Sequence, residues 1–198
     1  MQYHWWLKES ILEPYVYGEK IFNNEEIEKI IKIGKDEKFS TVQEPFIGDE
    51  KGDAVKDISS RNCFLSFIRS DLTNNEWIFR RITDAIINVN RDFYSYNIEY
   101  IENLQFTEYQ SPGHFYGKHV DLQYKSSKTR KISFSIQLTE DTEYEGGDLI
   151  LYTGKETKTK RNKGCINIFP SYMLHEVTPV TKGTRCSLVG WILGPSFK

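Results

Sequence analysis

Beyond about residue 100 the chain is written in short runs, many with alternating apolar and polar residues. Ile101–Tyr109, Lys131–Leu138, Asp148–Tyr152, Cys165–Phe169 and Thr184–Leu193 each read as a strand. Turn residues separate them at Ser111-Pro112-Gly113, Gly146-Gly147, Asn162-Lys163-Gly164 and Lys182-Gly183. The first half has a different period. Ile27, Ile30 and Ile31 form an apolar stripe after Glu25 and Glu26, whose charges suit the N-terminal end of a helix with Asn24 as its cap. From about Asn74 to Phe93, Ile78, Ile82, Ala85, Ile86, Val89 and Phe93 repeat at helical spacing, with Arg80, Arg81 and Asp84 on other faces. Gly48–Asp57, rich in Gly, Asp and Lys, reads as a loop and as the candidate mobile segment.

The expected architecture is mainly β with α. It is a β-sandwich with N-terminal helices packed on one sheet, in a single domain over 1–198. Residues 1–98 are its helical and strand support region and 99–198 its β core. Nothing near residue 98 is Gly-, Pro- or Ser-rich, so that boundary is a change of layer rather than a linker.

Composition narrows the function classes. With 198 residues the chain can bury a core without disulfides. A net charge of −2 gives no global basic footprint for nucleic acid, so no nucleic-acid partner is expected. No apolar run is long enough to span a bilayer, the first residues lack a signal-peptide pattern, and no membrane association is expected. Cys63, Cys165 and Cys186 are too few and scattered for a disulfide framework, which favours a reducing, cytoplasmic setting and buried thiols.

Among the four histidines, His119-Val120-Asp121 sets an imidazole and a carboxylate two residues apart. In an extended segment both point to one side and can reach one metal ion. A surface His beside a surface Asp would look the same in sequence. His175 ends an apolar stretch, where an ordinary core histidine is the bland reading. An arginine follows it ten residues on, and a turn at Lys182-Gly183 would bring Arg185 alongside His175 on a neighbouring strand. Two His and one carboxylate leave open positions on iron, the ligand set of non-haem Fe(II) oxygenases. Arg185 offers a planar fork for a carboxylate.

Tyr109…Gly113…His119-Val120-Asp121, then Tyr144-Glu145-Gly146-Gly147-Asp148-Leu149, then His175-Glu176-Val177-Thr178-Pro179-Val180…Gly183-Thr184-Arg185 form an ordered set. Over roughly 100–193 it resembles the prolyl 4-hydroxylase-like 2-oxoglutarate/Fe(II) dioxygenases, and most of all the small PKHD-type hydroxylases. The resemblance implies a double-stranded β-helix (jelly-roll, cupin-like) with the metal inside one open end. It implies Fe(II) on His119, Asp121 and His175, with 2-oxoglutarate and O2 as co-substrates and ascorbate as a candidate reductant. Arg185 becomes the partner of the distal 2-oxoglutarate carboxylate, Ser187 faces the same way, and Tyr109 lines the pocket. The hypoxia-sensing relatives carry a second tyrosine where this chain has Gln137. Ser133, Ser135 and Gln137 alternate with Ile132, Phe134, Ile136 and Leu138, which turns a polar side to the pocket and an apolar side to the core.

The implied reaction is hydroxylation of a C–H bond as 2-oxoglutarate and O2 become succinate and CO2. A peptidyl proline is the first substrate guess, in a peptide or protein partner. A free amino acid or other small molecule is the enzyme alternative, and a non-catalytic jelly-roll metal-binding or sensor module is the alternative from a different class. Other residues take bland readings: His114 on a rim loop, the Lys155–Lys163 run as a solvated face, Trp191 in the core. Arg61 divides evenly between the substrate side and structural pairing. The small size and Asn-, Lys- and Ile-rich composition hint at a phage origin, in which case the compartment is the host cytoplasm. Oligomeric state is not legible.

Overall fold

A computed structural model describes residues 13–36, 40–43, 46–48, 54–56, 59–122 and 128–196, with only the backbone described between 40 and 56. The larger of two main sheets runs Val16–Gly18, Ile166–Pro170, Lys128–Gln137, Val180–Pro195, Leu104–Gln110, Phe64–Ile68 and Ser40–Gln43, all antiparallel. Tyr144–Gly146 and Tyr100–Ile101 add to the long Val180–Pro195 strand. The smaller sheet runs Glu156–Lys158, Leu149–Tyr152, His175–Val177, Phe115–His119 and Arg61–Asn62. Strands from both halves of the chain thus share each sheet.

Side-chain alternation explains the layers. On one face of the large sheet, Phe106, Ile132, Phe134, Ile136, Ile168 and Leu188 meet Ile27 and Ile30 of helix α1 (Asn24–Lys35) and Ile78, Ile82 and Ile86 of helix α2 (Glu76–Val89). Each such buried aliphatic contributes roughly 1.5–3 kcal/mol. On the other face Leu65, Tyr109 and Phe169 pack against Leu149, Leu151 and Val177 of the small sheet. The two sheets therefore stack face to face as a double-stranded β-helix, with both helices on the outer face of one sheet, as expected.

The helix ends differ from the sequence reading in instructive ways. Asn23, not Asn24, caps α1: its side chain accepts from the Glu26 N–H, and Glu26 accepts from the Asn23 N–H, both at 2.9 Å. Near its end α1 lies so close to the sheet that a Cβ on Gly34 would sit 2.4 Å from the Phe106 ring. Helix α2 ends at Val89 and a π-helical turn, Asn90–Tyr94, follows. That turn uses one extra residue, so Tyr94 rather than Phe93 swings inward. Tyr94 is buried and donates to the Ile168 carbonyl at 3.2 Å, whereas Phe93 is exposed.

Two loop readings are also revised. Within Gly48–Asp57 the described backbone is partly strand: Ala54–Lys56 pairs with Phe46–Gly48, and the remainder lies outside the described residues. Lys182-Gly183 is not a hairpin turn, because Val180–Pro195 runs straight through it. Gly183 is needed for close approach instead. It has φ +71°, and a Cβ there would lie 2.1 Å from the Glu143 carbonyl oxygen, where the Tyr144–Gly146 strand joins.

The π-turn makes a direct prediction. Tyr94→Ala should cost about 3–5 kcal/mol, as for a buried aromatic, and Phe93→Ala should stay within about 0.5 kcal/mol. Chemical-denaturation midpoints of the two variants check this; the reverse order would mean that α2 continues in regular α form.

Candidate metal centre

The three metal-ligand candidates converge. His119 ends the Phe115–His119 strand and His175 begins the His175–Val177 strand, and the two are direct register partners. Asp121 lies two residues past the strand end, where its N–H donates to the Ser171 carbonyl at 3.0 Å. One ligand atom from each of the three lies within 4.8 Å of the others. The His119 and His175 Nε2 atoms stand 3.7 and 3.5 Å from the Asp121 carboxylate oxygens.

Each imidazole is locked in the tautomer that a metal needs. His119 Nδ1–H donates to the Gly117 carbonyl at 2.8 Å and His175 Nδ1–H to the Met173 carbonyl at 2.9 Å. Both Nε2 lone pairs are left free to coordinate. Burial, then the neighbouring His175, pushes the His119 pKa well down, so it is neutral and no proton competes with a metal there. Burial alone would raise Asp121, but His175, His119, Arg130 and the Ser133 hydroxyl outweigh it and hold the carboxyl below its ordinary range. Ser133 Oγ donates to Asp121 Oδ2 at 2.7 Å and also meets Ser171 Oγ at 2.9 Å. Two imidazoles with free Nε2 atoms and an orientated carboxylate fit a divalent metal with further positions left open.

Aromatic rings pack the two candidate imidazoles. Tyr116 stacks on His119 with centroids 3.6 Å apart, and Phe169 meets His175 edge-on at 4.9 Å. Simple alternation would send Tyr116 and His119 to opposite faces. The pairing His175↔His119 but Val177↔Tyr116 shows an extra residue in the Phe115–His119 strand, a bulge that re-aims Tyr116. Sequence parity could not reveal this contact.

The structure places the remaining candidates as follows. Arg185 is buried in the large sheet, opposite Tyr109, with its guanidinium 5.3 Å from that ring's centroid. It is not on a strand neighbouring His175: the chain crosses from small to large sheet at Thr178-Pro179, so Arg185 and His175 face each other across the sandwich. Arg185 Nη1 donates to Ser187 Oγ at 3.3 Å, its Nε has no partner, and no carboxylate pairs with it among the described residues. Gln137 is the register partner of Ser187, and its Oε1 is buried without a partner. Ser133, Ser135 and Gln137 are all buried on the side facing the small sheet, opposite Ile132, Phe134 and Ile136. A buried, carboxylate-free guanidinium beside unpartnered polar atoms fits a dicarboxylate whose other end chelates the metal.

His114 lies outside the cluster, beside Phe64. Arg61 is buried over the Tyr116 ring at 4.4 Å; its Nε donates to Cys63 Sγ at 3.2 Å and its Nη2 has no partner. Trp191 is buried, but on the Ser133 side of the sheet rather than in the helix-side core, with Arg130 stacked 3.8 Å over it. In the basic run Lys155, Lys158 and Lys160 are exposed, and Lys158 and Arg161 both pair with Asp148, at 2.7 and 2.6 Å. Cys63, Cys165 and Cys186 are buried free thiols, away from the cluster.

A double-stranded β-helix holding two His and one Asp beside a buried Arg defines a class, and comparison with known proteins agrees. Residues 104–193 match the family model described as the 2OG-Fe(II) oxygenase superfamily. A PKHD-type hydroxylase of Prochlorococcus marinus is 47% identical over 83 residues, covering 41% of this chain and 38% of the relative. One from Idiomarina loihiensis is 29% identical over 131 residues, covering 62% of this chain and 60% of the relative. The chain thus matches less than two thirds of either relative's length. A Pseudomonas putida prolyl-4-hydroxylase superposes with TM-score 0.71 at 18% identity, covering 92% of this chain and 94% of that one. A Trichoplax adhaerens prolyl hydroxylase, solved with a hypoxia inducible factor peptide fragment, gives TM-score 0.71 at 16% identity, covering 91% and 84%. At these identities the structural matches show the fold.

Ser133→Ala should weaken Fe(II) binding roughly 10- to 100-fold while leaving the three ligands in place. Anaerobic Fe(II) titration checks this; unchanged affinity would mean that Ser133 does not orient Asp121 toward a metal.

Proposed function

We propose that this chain is an Fe(II)- and 2-oxoglutarate-dependent hydroxylase that holds iron on His119, Asp121 and His175 and the distal 2-oxoglutarate carboxylate on Arg185, with a peptidyl proline as the first substrate to test. Arg185 carries the reading. Burying an unpaired guanidinium costs several kcal/mol, so the fold needs an anion there, and a plain metal-binding or sensor module has no use for one. Bound together, iron, 2-oxoglutarate and O2 supply an oxidant able to hydroxylate a C–H bond, yielding succinate and CO2.

The chain's own residues do the rest. The Nδ1 hydrogen bonds to Gly117 and Met173 fix the imidazoles, Ser133 orients Asp121, and Tyr116 and Phe169 exclude water from the ligands. Arg185, with Ser187 and Tyr109, holds the far end of the co-substrate. The unpartnered Nη2 of Arg61 lies on the Tyr116 side, where it supports a substrate bearing an acceptor, such as a peptide carbonyl. The Trichoplax neighbour's peptide supports the peptide reading. Arg61 equally suits the carboxylate of a free amino acid, the second reading, and product mass separates the two.

Protein purified without oxygen, then given Fe(II), 2-oxoglutarate and ascorbate and exposed to air, should form succinate even without substrate. His175→Ala should abolish it. Arg185→Ala should lose about 3–5 kcal/mol of co-substrate binding, read as a much higher 2-oxoglutarate requirement. Equal succinate from all three proteins would contradict the assignment.

A further inference from the structure

Tyr144 is a buried polar group near Arg185 that the reading above does not use. It starts the Tyr144–Gly146 strand, directly opposite Gly183 and two residues along from Arg185's own position on the long strand. The Tyr144 hydroxyl is fully buried and has no hydrogen-bond partner, and Arg185 Nε is in the same state. The two side chains border a common point. A Cβ on Gly147 would lie 3.0 Å from Arg185 Cδ and 3.4 Å from Tyr144 Cε2. Gly147 must stay without a side chain, because even a methyl there would crowd Val180, Arg185 and Tyr144.

The ring cannot easily turn away. Arg161 lies over it at 4.3 Å, anchored by Asp148 at 2.6 Å and by the carbonyls of Gly146 and Tyr144 at 3.2 and 3.1 Å. Ordering a buried hydroxyl without a partner costs free energy unless a ligand satisfies it. Two orphaned buried donors, one neutral and one cationic, on side chains that border the same glycine suit a single anionic acceptor.

We infer that the Tyr144 hydroxyl donates to the distal carboxylate of 2-oxoglutarate alongside Arg185, with Arg161 as the residue that positions the ring. The inference rests on the co-substrate reading proposed above and adds a binding residue to it. A hydrogen bond to a charged group implies a loss of roughly 10- to 100-fold in affinity when the hydroxyl is removed.

The test is equilibrium binding to the anaerobic Fe(II) protein, followed by the visible charge-transfer band of a 2-oxo acid chelated to iron. Wild type and Tyr144→Phe are titrated with 2-oxoglutarate and with pyruvate, which keeps the chelating end but lacks the distal carboxylate. Weaker 2-oxoglutarate binding in the variant, with pyruvate binding, Fe(II) affinity and melting temperature unchanged, is the expected result. Unchanged 2-oxoglutarate binding would overturn the inference, leaving Tyr144 as packing. Equal weakening for both acids would overturn it too, since the ring would then be shaping the metal site. No band in the wild type with either acid would defeat the co-substrate reading itself, and this inference with it.

Discussion

His119 and His175 are register partners on adjacent antiparallel strands of the small sheet, and the rest of the centre is arranged about that pair. Cross-strand partners hold their Cβ atoms about 4.5–5.5 Å apart, so two imidazoles are brought together by backbone pairing alone. Asp121 then needs only to be folded back at the strand end, which its backbone bond to Ser171 and the Ser133 hydroxyl accomplish. The His–His pair is thus a product of the sheet, and the carboxylate is a local adjustment.

The Arg185 end of the candidate site is built from the opposite sheet. Alternation along Val180–Pro195 puts Arg185 and Ser187 on the face turned to the small sheet, and puts Cys186 and Leu188 with the helices. The same parity carries Gln137, Ser135 and Ser133 inward on the neighbouring strand. The Leu149–Leu151–Val177 cluster against Leu65, Tyr109 and Phe169 fixes the separation of the sheets. The gap between metal candidates and guanidinium is therefore set by core packing of the two sheets.

Period-2 and period-3.6 patterns made both helices, five of the strands and the inward side of Lys128–Gln137 legible from sequence, because burial on one face enforces them. The candidate ligand set was legible because His-x-Asp and a later His followed by an Arg are sparse, chemically specific signals, and the three residues converge in the fold. What escaped depends on departures from regular period. The π-turn moved Tyr94 into the place expected of Phe93, and the bulge before His119 brought Tyr116 onto it. The short Arg61–Asn62, Phe115–His119 and His175–Val177 strands carry too few residues for alternation to register, so the crossing from His175 to Arg185 read as a hairpin. Tyr144 was visible as part of a motif, but only the structure shows its hydroxyl buried without a partner on a side chain that borders the same glycine as Arg185.

The central claim is that His119, Asp121 and His175 hold iron with positions left for a 2-oxo acid. Iron K-edge X-ray absorption on the anaerobic Fe(II) protein, before and after adding 2-oxoglutarate, tests it most directly. The account predicts scattering from two imidazoles with oxygen neighbours, the imidazole contribution unchanged and the oxygen shell altered when 2-oxoglutarate binds. Sulfur neighbours, or an iron environment indifferent to 2-oxoglutarate, would contradict it.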